Sequence, residues 1–426
     1  MASFFIPLTG LQSDSTALNT IANNLSNMNT TAFKAQTTNF ADLFYQEIGS
    51  TGSGDPIQIG AGVHVSSNDT SFTQGSINST GNATDVALNG NGFFVVGNGA
   101  GVQEYTRAGN FSLGSDGSLV SSNGLSVMGY PAINGVVNTN APLTPISIPV
   151  GQVEQPRDTT TLSMTANLDA SSATGTTFPA QATIYDSLGV SHVATVTYTQ
   201  TGTNTWSYSA ALPAADFTSG TSTPVTGSMT FDANGNLSSV TPSGGVATPV
   251  GTAGGDISSI PMSFTGLKSG ASDLSINWNL LGSGGTPTIS QVNTASAVSA
   301  TSQNGYASGQ YQSFTIGSDG TVTASYSNGQ QKNVGQLALA NVTNLQGLRM
   351  LGNGDYATTL ASGTASIGVS GTSGLAKLQG GALEQSNVNI SSEFSNLIIA
   401  QRAFEANSKA ITTFDTVTQD TINMIH

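Results

Sequence analysis

Large apolar residues recur every seven positions at the two ends of the chain. A seven-residue repeat of apolar side chains is typical of a coiled-coil seam. The repeat comprises Phe4, Leu11, Leu18 and Leu25 with Leu8 beside them, then Ile390, Leu397, Phe404, Ile411 and Ile425 with Phe394 and Ile422 extending the stripe. The pattern predicts a helix at each terminus, and these residues are the ones through which the helices are expected to pack. A helix over Ile390–Ile425 would be about 54 Å long.

Neither terminal helix has the composition of a stable isolated helix. Polar residues interrupt the seams at Ser15, Gln401, Ser408 and Asp415, and few oppositely charged pairs lie one turn apart. We therefore predict that the two ends become ordered by packing with each other and with neighbouring molecules. The alternative is an ordinary helical hairpin that closes the core of a single domain.

Between these ends, apolar and polar residues alternate over short runs, as they do in β-strands. QATIYDSLGVSHVATVTYTQ, which begins at Gln181, alternates on both sides of Ser-Leu-Gly. FSLGSDGSLV and FTIGSDGTVT, from Phe111 and Phe314, each predict a hairpin around Ser-Asp-Gly. This repeated hairpin indicates one β domain interrupted by an insertion, although two short hairpins can also match by chance.

The predicted fold class is mainly β with α-helical termini: coiled-coil N- and C-terminal helices, then two nested β domains of the sandwich or barrel type, the outer one inserted in the inner one. A chain of 426 residues exceeds the usual size of one core. The predicted divisions are a terminal helical domain (1–29 and 383–426), irregular connecting segments (30–70 and 363–382), a discontinuous inner β domain (71–148 and 294–362) and an inserted outer β domain (149–293). In the first connector, Phe40, Leu43, Phe44 and Tyr45 predict a short amphipathic helix or an extended anchor.

Charge and cysteine content narrow the classes of function. The chain has 23 acidic and 9 basic residues, a net charge of −14, and its basic residues are scattered singly. Nucleic-acid binding and attachment to anionic lipid therefore have no electrostatic basis. The chain has no cysteine, which excludes disulfides and thiolate chemistry. No cleavable signal peptide and no membrane-spanning segment are predicted.

No pattern of catalytic or metal-binding residues is found in the sequence. His64, His192 and His426 are the only histidines, none at metal-ligand spacing from another, and all three are predicted at the surface or in loops. DANGN at 232–236 lacks the remaining ligands of a calcium loop and predicts a turn. NGNGFF at 89–94 lacks the lysine and helix of a phosphate-binding loop and predicts a turn before a buried strand. We predict no enzyme activity and no cofactor.

Several segments together resemble the bacterial flagellar axial proteins, the family of rod and hook subunits. The terminal matches are LNTIANNLSNMNTTAFKAQTTNFADLFYQ and LEQSNVNISSEFSNLIIAQRAFEANSKAITTFDTVTQDTINMI, and DVALNGNGFFVV and YTRAGNFSLGSDGSLVSSNGLSVMGYPA are similar as well. Rod and hook members share these motifs, whereas the large β insertion and the total length favour the hook members. Ala32 departs from the family, which more often has glycine at this position of the turn.

The resemblance implies a structural subunit that self-assembles through its terminal helices into a flexible, curved tube and transmits torque from the rod to the filament. The implied partners are other copies of the chain, the distal rod, the hook cap, the hook–filament junction proteins and the flagellar type III export apparatus. The implied location is the hook at the cell surface, reached without a cleaved signal peptide. A distal-rod subunit is one alternative, and a secreted β-rich adhesin or glycan-binding protein is another.

Overall fold

The computed structural model describes residues 4–97, 101–251, 254–282 and 284–425; for Ile425 it describes the backbone only. Helix α1 spans Phe5–Ser26 and helix α2 spans Ile390–Ile425. The regular structure between them consists mainly of β-strands, with short 3₁₀ turns at Ala214–Asp216 and Leu345–Gly347. The predicted class, mainly β with helical termini, is therefore confirmed.

The strands are short and are numbered here in chain order. They are β1 Gln36–Asp42, β2 Tyr45–Ser50, β3 Pro56–Gly60, β4 Val63–Thr70, β5 Ile77–Ser79, β6 Val86–Asn89, β7 Phe93–Gly97, β8 Gln103–Thr106, β9 Ser112–Leu113, β10 Leu119–Val120, β11 Ser126–Ile133, β12 Val136–Val137, β13 Thr144–Pro145, β14 Val153–Glu154, β15 Thr161–Asp169, β16 Thr177–Tyr185 and β17 Ser191–Gly202. They continue as β18 Thr205–Ala211, β19 Val225–Phe231, β20 Leu237–Pro242, β21 Thr248–Pro249, β22 Ser259–Phe264, β23 Leu274–Asn279, β24 Ile289–Val292, β25 Ala297–Gln303, β26 Gly309–Ile316, β27 Thr321–Tyr326, β28 Gln331–Leu337, β29 Leu339–Asn341, β30 Arg349–Gly352, β31 Asp355–Ala357, β32 Ser366–Gly368, β33 Lys377–Gly380 and β34 Ala382–Glu384.

Amide side chains define the inner ends of both helices. At the end of α1, the Asn27 side chain donates to the Asn23 carbonyl at 3.0 Å. At the start of α2, the Asn389 side chain accepts from the Ser392 backbone N–H at 3.2 Å, the usual contact of an N-cap asparagine. After α1 the chain turns at Ala32, which has a positive φ of 55°. This conformation is strained for a residue with a Cβ and would be unstrained for glycine.

The prediction of irregular connectors was wrong over most of 30–70. Strands β1 and β4 form an antiparallel pair in which Gln36 lies opposite Thr70, and β2 and β3 form a second pair. The segment around Phe40, for which a helix or an extended anchor was expected, is extended. In the second connector, β32 and β33 pair with β29 and β6. Thr, Ile, Val and Tyr have high β propensity, which stabilises strands in a Gly- and Ser-rich background.

The chain forms two compact units, 1–150 with 313–325 and 331–426 (unit 1), and 151–312 with 326–330 (unit 2). Unit 1 contains both helices and an antiparallel sheet in the order β28-β11-β7-β8-β31-β30. The core beside this sheet is formed by Phe93, Val95, Tyr105, Met128, Tyr130, Ala338, Ala340 and Tyr356. The predicted turn and the buried strand after it are confirmed, because Gly90 and Gly92 have positive φ and β7 is buried along its whole length.

The two Ser-Asp-Gly hairpins of unit 1 have matching geometry. The Gly114 N–H donates to the Ser118 carbonyl at 2.8 Å, and the Gly317 N–H donates to the Thr321 carbonyl at 2.9 Å. In each turn the aspartate side chain accepts the backbone N–H two residues later, from Ser118 and Thr321 respectively. The predicted hairpins are therefore confirmed.

Unit 2 is a β-sandwich. One sheet has the order β16-β17-β18-β19-β20-β21, and the other contains β22-β23-β15-β24 with β25 also paired to β15. The two sheets enclose a shared core whose largest members are Trp206, Trp278, Tyr198 and Tyr208. Because β25 pairs with β15, residues 297–303 lie in unit 2, although the sequence placed them in the inner domain. The nesting of one domain in the other stays a prediction.

Candidate assembly surface

Helix α1 buries a stripe of small and polar residues, not its predicted apolar seam. The buried residues are Pro7, Gly10, Ser13, Ala17, Thr20 and Asn24, spaced three or four apart on one face. A Cβ on Gly10 would lie 2.6 Å from Asn407 Nδ2 of α2, so the helices approach closely at this point. Near this contact, Asn407 Nδ2 donates to Asp14 Oδ2 at 2.8 Å. The helix pair within one chain is therefore held by close backbone approach and polar contacts.

The same stripe of α1 attaches the helix to strand β1. Asn24 is fully buried, its Nδ2 donates to the Gln36 carbonyl at 2.8 Å, and its Oδ1 accepts the Gln36 N–H at 2.9 Å. Thr38 Oγ1 lies 3.0 Å from Thr20 Oγ1. A search for large apolar residues misses this stripe; its sequence signal is the recurrence of small and amide residues every third or fourth position.

None of the predicted seam residues with a described side chain is buried in the single chain. Phe4, Leu8, Ile390, Phe394 and Ile422 are exposed, whereas Leu11, Leu18, Leu25, Leu397, Phe404 and Ile411 are half-buried. Ile425 is helical, and its side chain lies outside the described set. Ile398, Ile399, Val417 and Met424 of α2 are also exposed. We call the exposed large apolar residues of α1 and α2, together with Phe4, the exposed apolar set.

The second half of α2 has few side chains packed against other elements. From Thr412 to Met424 every described side chain except that of Phe414 is exposed. Thr412, Thr413, Thr416, Thr418 and Thr421 all bond their hydroxyls back to carbonyls three or four residues earlier. Threonine is a weak helix former, and such bonds support a helix poorly. This half of α2 therefore needs outside contacts to be stable as a helix.

The β2–β3 hairpin is a second exposed apolar element of unit 1. Phe44, just before β2, and Tyr45, Ile48, Ile57 and Ile59 within the hairpin are all exposed. The two strands pair only with each other among the described strands. An isolated two-stranded hairpin is marginally stable in water, so this one also lacks a stabilising neighbour.

A groove of about 370 Å³ lies between α1, β1 and α2. Ile21, Phe40, Ile399 and Ala400 provide apolar lining, and Glu393 lies at its edge. Phe40 and Ile399 are exposed there. The groove is therefore continuous with the exposed apolar set.

A buried ionic cluster, which was not predicted from the sequence, joins the two chain ends of unit 1. Glu384 Oε1 lies 2.7 Å from Lys34 Nζ, and Glu384 Oε2 lies 2.7 Å from Arg107 Nε. The Gly75 N–H also donates to Glu384 Oε1, and Lys34 Nζ donates to the Thr73 carbonyl. Burial lowers the pKa of Lys34, and the charge of Glu384 opposes this shift.

Arg107 extends the cluster to the turn before β7. Its Nη1 donates to the Gly92 carbonyl at 3.0 Å and its Nη2 to the Gly90 carbonyl at 2.7 Å. All three charged side chains are nearly or fully buried. Lys34 thus fixes the first connector to strand β34, which precedes α2.

No group of three or more His, Asp or Glu side chains in the described ranges is placed to hold a metal ion. Residues 232–236 form a turn, as predicted, closed by a bond from the Asp232 N–H to the Asn236 carbonyl. His64 is exposed on β4, and His426 lies outside the described residues. His192 was wrongly predicted at the surface: it is buried between two aspartates.

No helix in the described ranges combines the length and hydropathy needed to cross a membrane.

Four family profiles match segments that together cover most of the chain. They are "Flagella basal body rod protein" at 8–34, "Flagellar hook protein FlgE/F/G D1 domain" at 87–167, "Flagellar basal body protein FlaE D2 domain" at 155–306 and "Flagellar basal body rod FlgEFG protein C-terminal" at 379–424. The terminal matches cover most of each helix, and the longest match lies in unit 2.

Two relatives match this chain along nearly its full length and their own. The flagellar hook protein FlgE of Salmonella typhimurium is 34% identical over 99% of this chain and 100% of its own length. The flagellar hook protein FlgE of Treponema pallidum is 33% identical over 100% of this chain and 99% of its own. The crystal structure of Helicobacter pylori flagellar hook protein FlgE2 covers 71% of this chain and 99% of its own with a TM-score of 0.52 at 15% identity, a likeness of fold alone.

Proposed function

The chain belongs to the flagellar hook protein family and is a structural subunit of the bacterial hook, and we propose that it polymerises through its exposed apolar set. The proposed polymer is a curved tube that transmits torque while it bends. The proposed sites of self-assembly are all the predicted seam residues: Phe4, Leu8, Ile390, Phe394 and Ile422 of the exposed apolar set, and in addition Leu11, Leu18, Leu25, Leu397, Phe404, Ile411 and Ile425. We further propose that unit 2 is an outer domain inserted into an inner one.

The exposed apolar set is the observation that supports polymerisation most strongly. Covering an apolar side chain of this size gains about 1.5–3 kcal/mol. The intrachain helix contact uses the small-residue stripe of α1 and leaves the larger apolar residues accessible. A second copy of the chain can cover these residues with its own exposed apolar set and with its own groove between α1, β1 and α2. A contact between two different patches of identical subunits repeats without closing and produces a helical polymer.

The β2–β3 hairpin is proposed as an additional contact between copies. Its exposed Tyr45, Ile48, Ile57 and Ile59 need a covering surface, and the groove lined by Ile21 and Ile399 has matching apolar chemistry. Only 8% of the residues are charged, so few ion pairs have to break when neighbouring subunits shift. Breaking a buried ion pair is costly, and an interface nearly free of such pairs is easier to bend.

Family membership supports the remaining partners as proposals. We propose contacts with the distal rod, the hook cap and the hook–filament junction proteins, and export through the flagellar type III apparatus without a cleaved signal peptide. The proposed location is the extracellular hook. We propose no catalytic activity for the chain.

Electron microscopy of purified, concentrated protein tests the proposed function. We expect tubes that curve, because the exposed apolar set of each copy is covered by others while the β units can shift. Uniformly straight tubes would favour a distal-rod subunit. Absence of any polymer, combined with specific retention on a glycan array, would favour the adhesin alternative and overturn the proposal.

A further inference from the structure

His192 lies buried at one end of unit 2 with a carboxylate at each ring nitrogen. Its Nδ1 is 2.9 Å from Asp216 Oδ2, and its Nε2 is 3.3 Å from Asp186 Oδ2. The His192 side chain is 4% exposed and that of Asp186 is fully buried, whereas Asp216 is 26% exposed. The ring therefore has two acceptor groups and little access to water.

These groups come from three separate segments of unit 2. Asp186 begins the turn between β16 and β17, and His192 is the second residue of β17. Asp216 ends the 3₁₀ turn Ala214–Asp216. Ser269, in the loop between β22 and β23, donates its hydroxyl to Asp186 Oδ2 at 2.6 Å. The cluster thus links a hairpin turn, a 3₁₀ turn and a loop.

Asp186 is held in its ionised form. Burial alone would raise its pKa, but hydrogen bonds from Ser269 Oγ, from the Val190 N–H, from His192 and from the Leu188 N–H together lower it. The Val190 and Leu188 bonds to Asp186 Oδ1 are 2.8 and 2.9 Å long. Ser269 therefore contacts the carboxylate of the cluster and not the histidine ring.

We propose that His192 carries a proton on both ring nitrogens and acts as an ionic latch between these three segments. A neutral imidazole has one N–H and one lone pair, so one of the two carboxylates would face a lone pair across a hydrogen-bond distance. The imidazolium donates to both carboxylates, and charge-assisted bonds of this kind are the stronger ones.

The latch holds in place the segments that cover the end of the unit 2 core. Phe217 follows Asp216, forms a β-bridge with Leu267, and both are buried. The Lys268 N–H donates to the Asp216 carbonyl at 2.8 Å. The other charged side chains on the adjoining loop are Lys268 and Asp273, and the residue opposite His192 on β16 is the apolar Ile184. The two aspartates are therefore the charged groups within hydrogen-bond distance of the ring.

The lowered pKa of Asp186 keeps that carboxylate ionised, so its contribution to the latch persists until the pH falls through the lowered value. This inference concerns unit 2 alone and does not depend on polymerisation.

Nitrogen-15 NMR of the full-length monomer, labelled only at histidine, tests the proton count. The chain has three histidines, and the His192→Gln variant identifies the His192 signals. At pH 7 we expect both ring nitrogens of His192 to have the nitrogen-15 chemical shift of a protonated nitrogen. Exposed His64 serves as the internal reference. One protonated and one unprotonated nitrogen for His192 at pH 7 would overturn the proposal.

A second variant tests the latch if His192→Gln fails to fold. Asp216→Asn removes one carboxylate charge, and we expect its His192 ring to show one protonated and one unprotonated nitrogen at pH 7. Hydrogen exchange in 213–218 and 266–270 should then be faster than in the wild type at the same pH. Asp232→Asn removes the same charge from an exposed turn of unit 2 and should change neither result. Identical His192 signals and exchange rates in Asp216→Asn and the wild type would contradict the latch.

Discussion

Replacement of Glu384 by alanine is expected to destabilise unit 1 by about 3–5 kcal/mol, the usual cost of removing one partner from a buried ion pair. The variant leaves the Lys34 ammonium and the Arg107 guanidinium buried without their shared carboxylate. It also removes the acceptor of the Gly75 N–H. The first connector should then detach from β34. Urea denaturation followed by circular dichroism, together with hydrogen exchange of β7, measures the effect.

The chain offers matched controls for this experiment. Glu384→Gln keeps the size and one carbonyl oxygen but loses the charge, and it should destabilise unit 1 less than alanine does. Glu405→Ala removes a carboxylate whose pair with Arg402 is largely exposed, and it should cost less than about 1 kcal/mol. Trp206 and Trp278 both lie in unit 2, so tryptophan fluorescence should change little. Unaltered exchange of β7 in Glu384→Ala would show that the cluster does not stabilise unit 1.

Substitution of Phe394 by aspartate is expected to raise the concentration needed for polymerisation by at least about a hundredfold. The side chain is 52% exposed in the single chain, so the monomer should fold normally. In a polymer the substitution loses about 1.5–3 kcal/mol of apolar burial and adds the cost of burying a charge, where 1.4 kcal/mol is about tenfold. Sedimentation over a concentration series measures the threshold.

Phe394→Leu is the matched control for this substitution, because it keeps an apolar side chain at the same position. We expect it to polymerise at a concentration close to that of the wild type. Monomer circular dichroism should be the same for both variants. Equal thresholds for the aspartate variant and the wild type would remove Phe394 from the proposed assembly surface.

Features set by local sequence were predictable. The seven-residue repeats place α1 and α2 within a few residues of their observed bounds, because helical periodicity is local. The Ser-Asp-Gly turns follow equally from nearby residues, since the aspartate accepts a backbone N–H two positions later. The turn at Ala32, in contrast, does not follow from local sequence alone. There the positive φ is held by contacts with the other end of the chain, including a bond from the Ala32 N–H to the Glu384 carbonyl.

Features that depend on distant partners were not predictable from one sequence. Lys34 and Glu384 are 350 positions apart, and nothing near either residue indicates the other. The strands of 36–70 were missed because their Gly, Ser and Asn content obscures the alternation that pairs β1 with β4. The contact between α1 and α2 was missed because Gly10 and Ala17 allow close packing through their small size, whereas the prediction relied on large apolar side chains. The candidate surface itself, the large apolar seam, was visible because it is periodic.

Hydrogen–deuterium exchange of α1 and α2, compared between dilute monomer and assembled polymer, tests the central claim most directly. The claim is that the terminal helices depend on neighbouring copies for their stability. The account predicts fast exchange in the monomer, fastest from Thr412 onward, and strong protection of both helices in the polymer. Equally strong protection of both helices in the dilute monomer would contradict it.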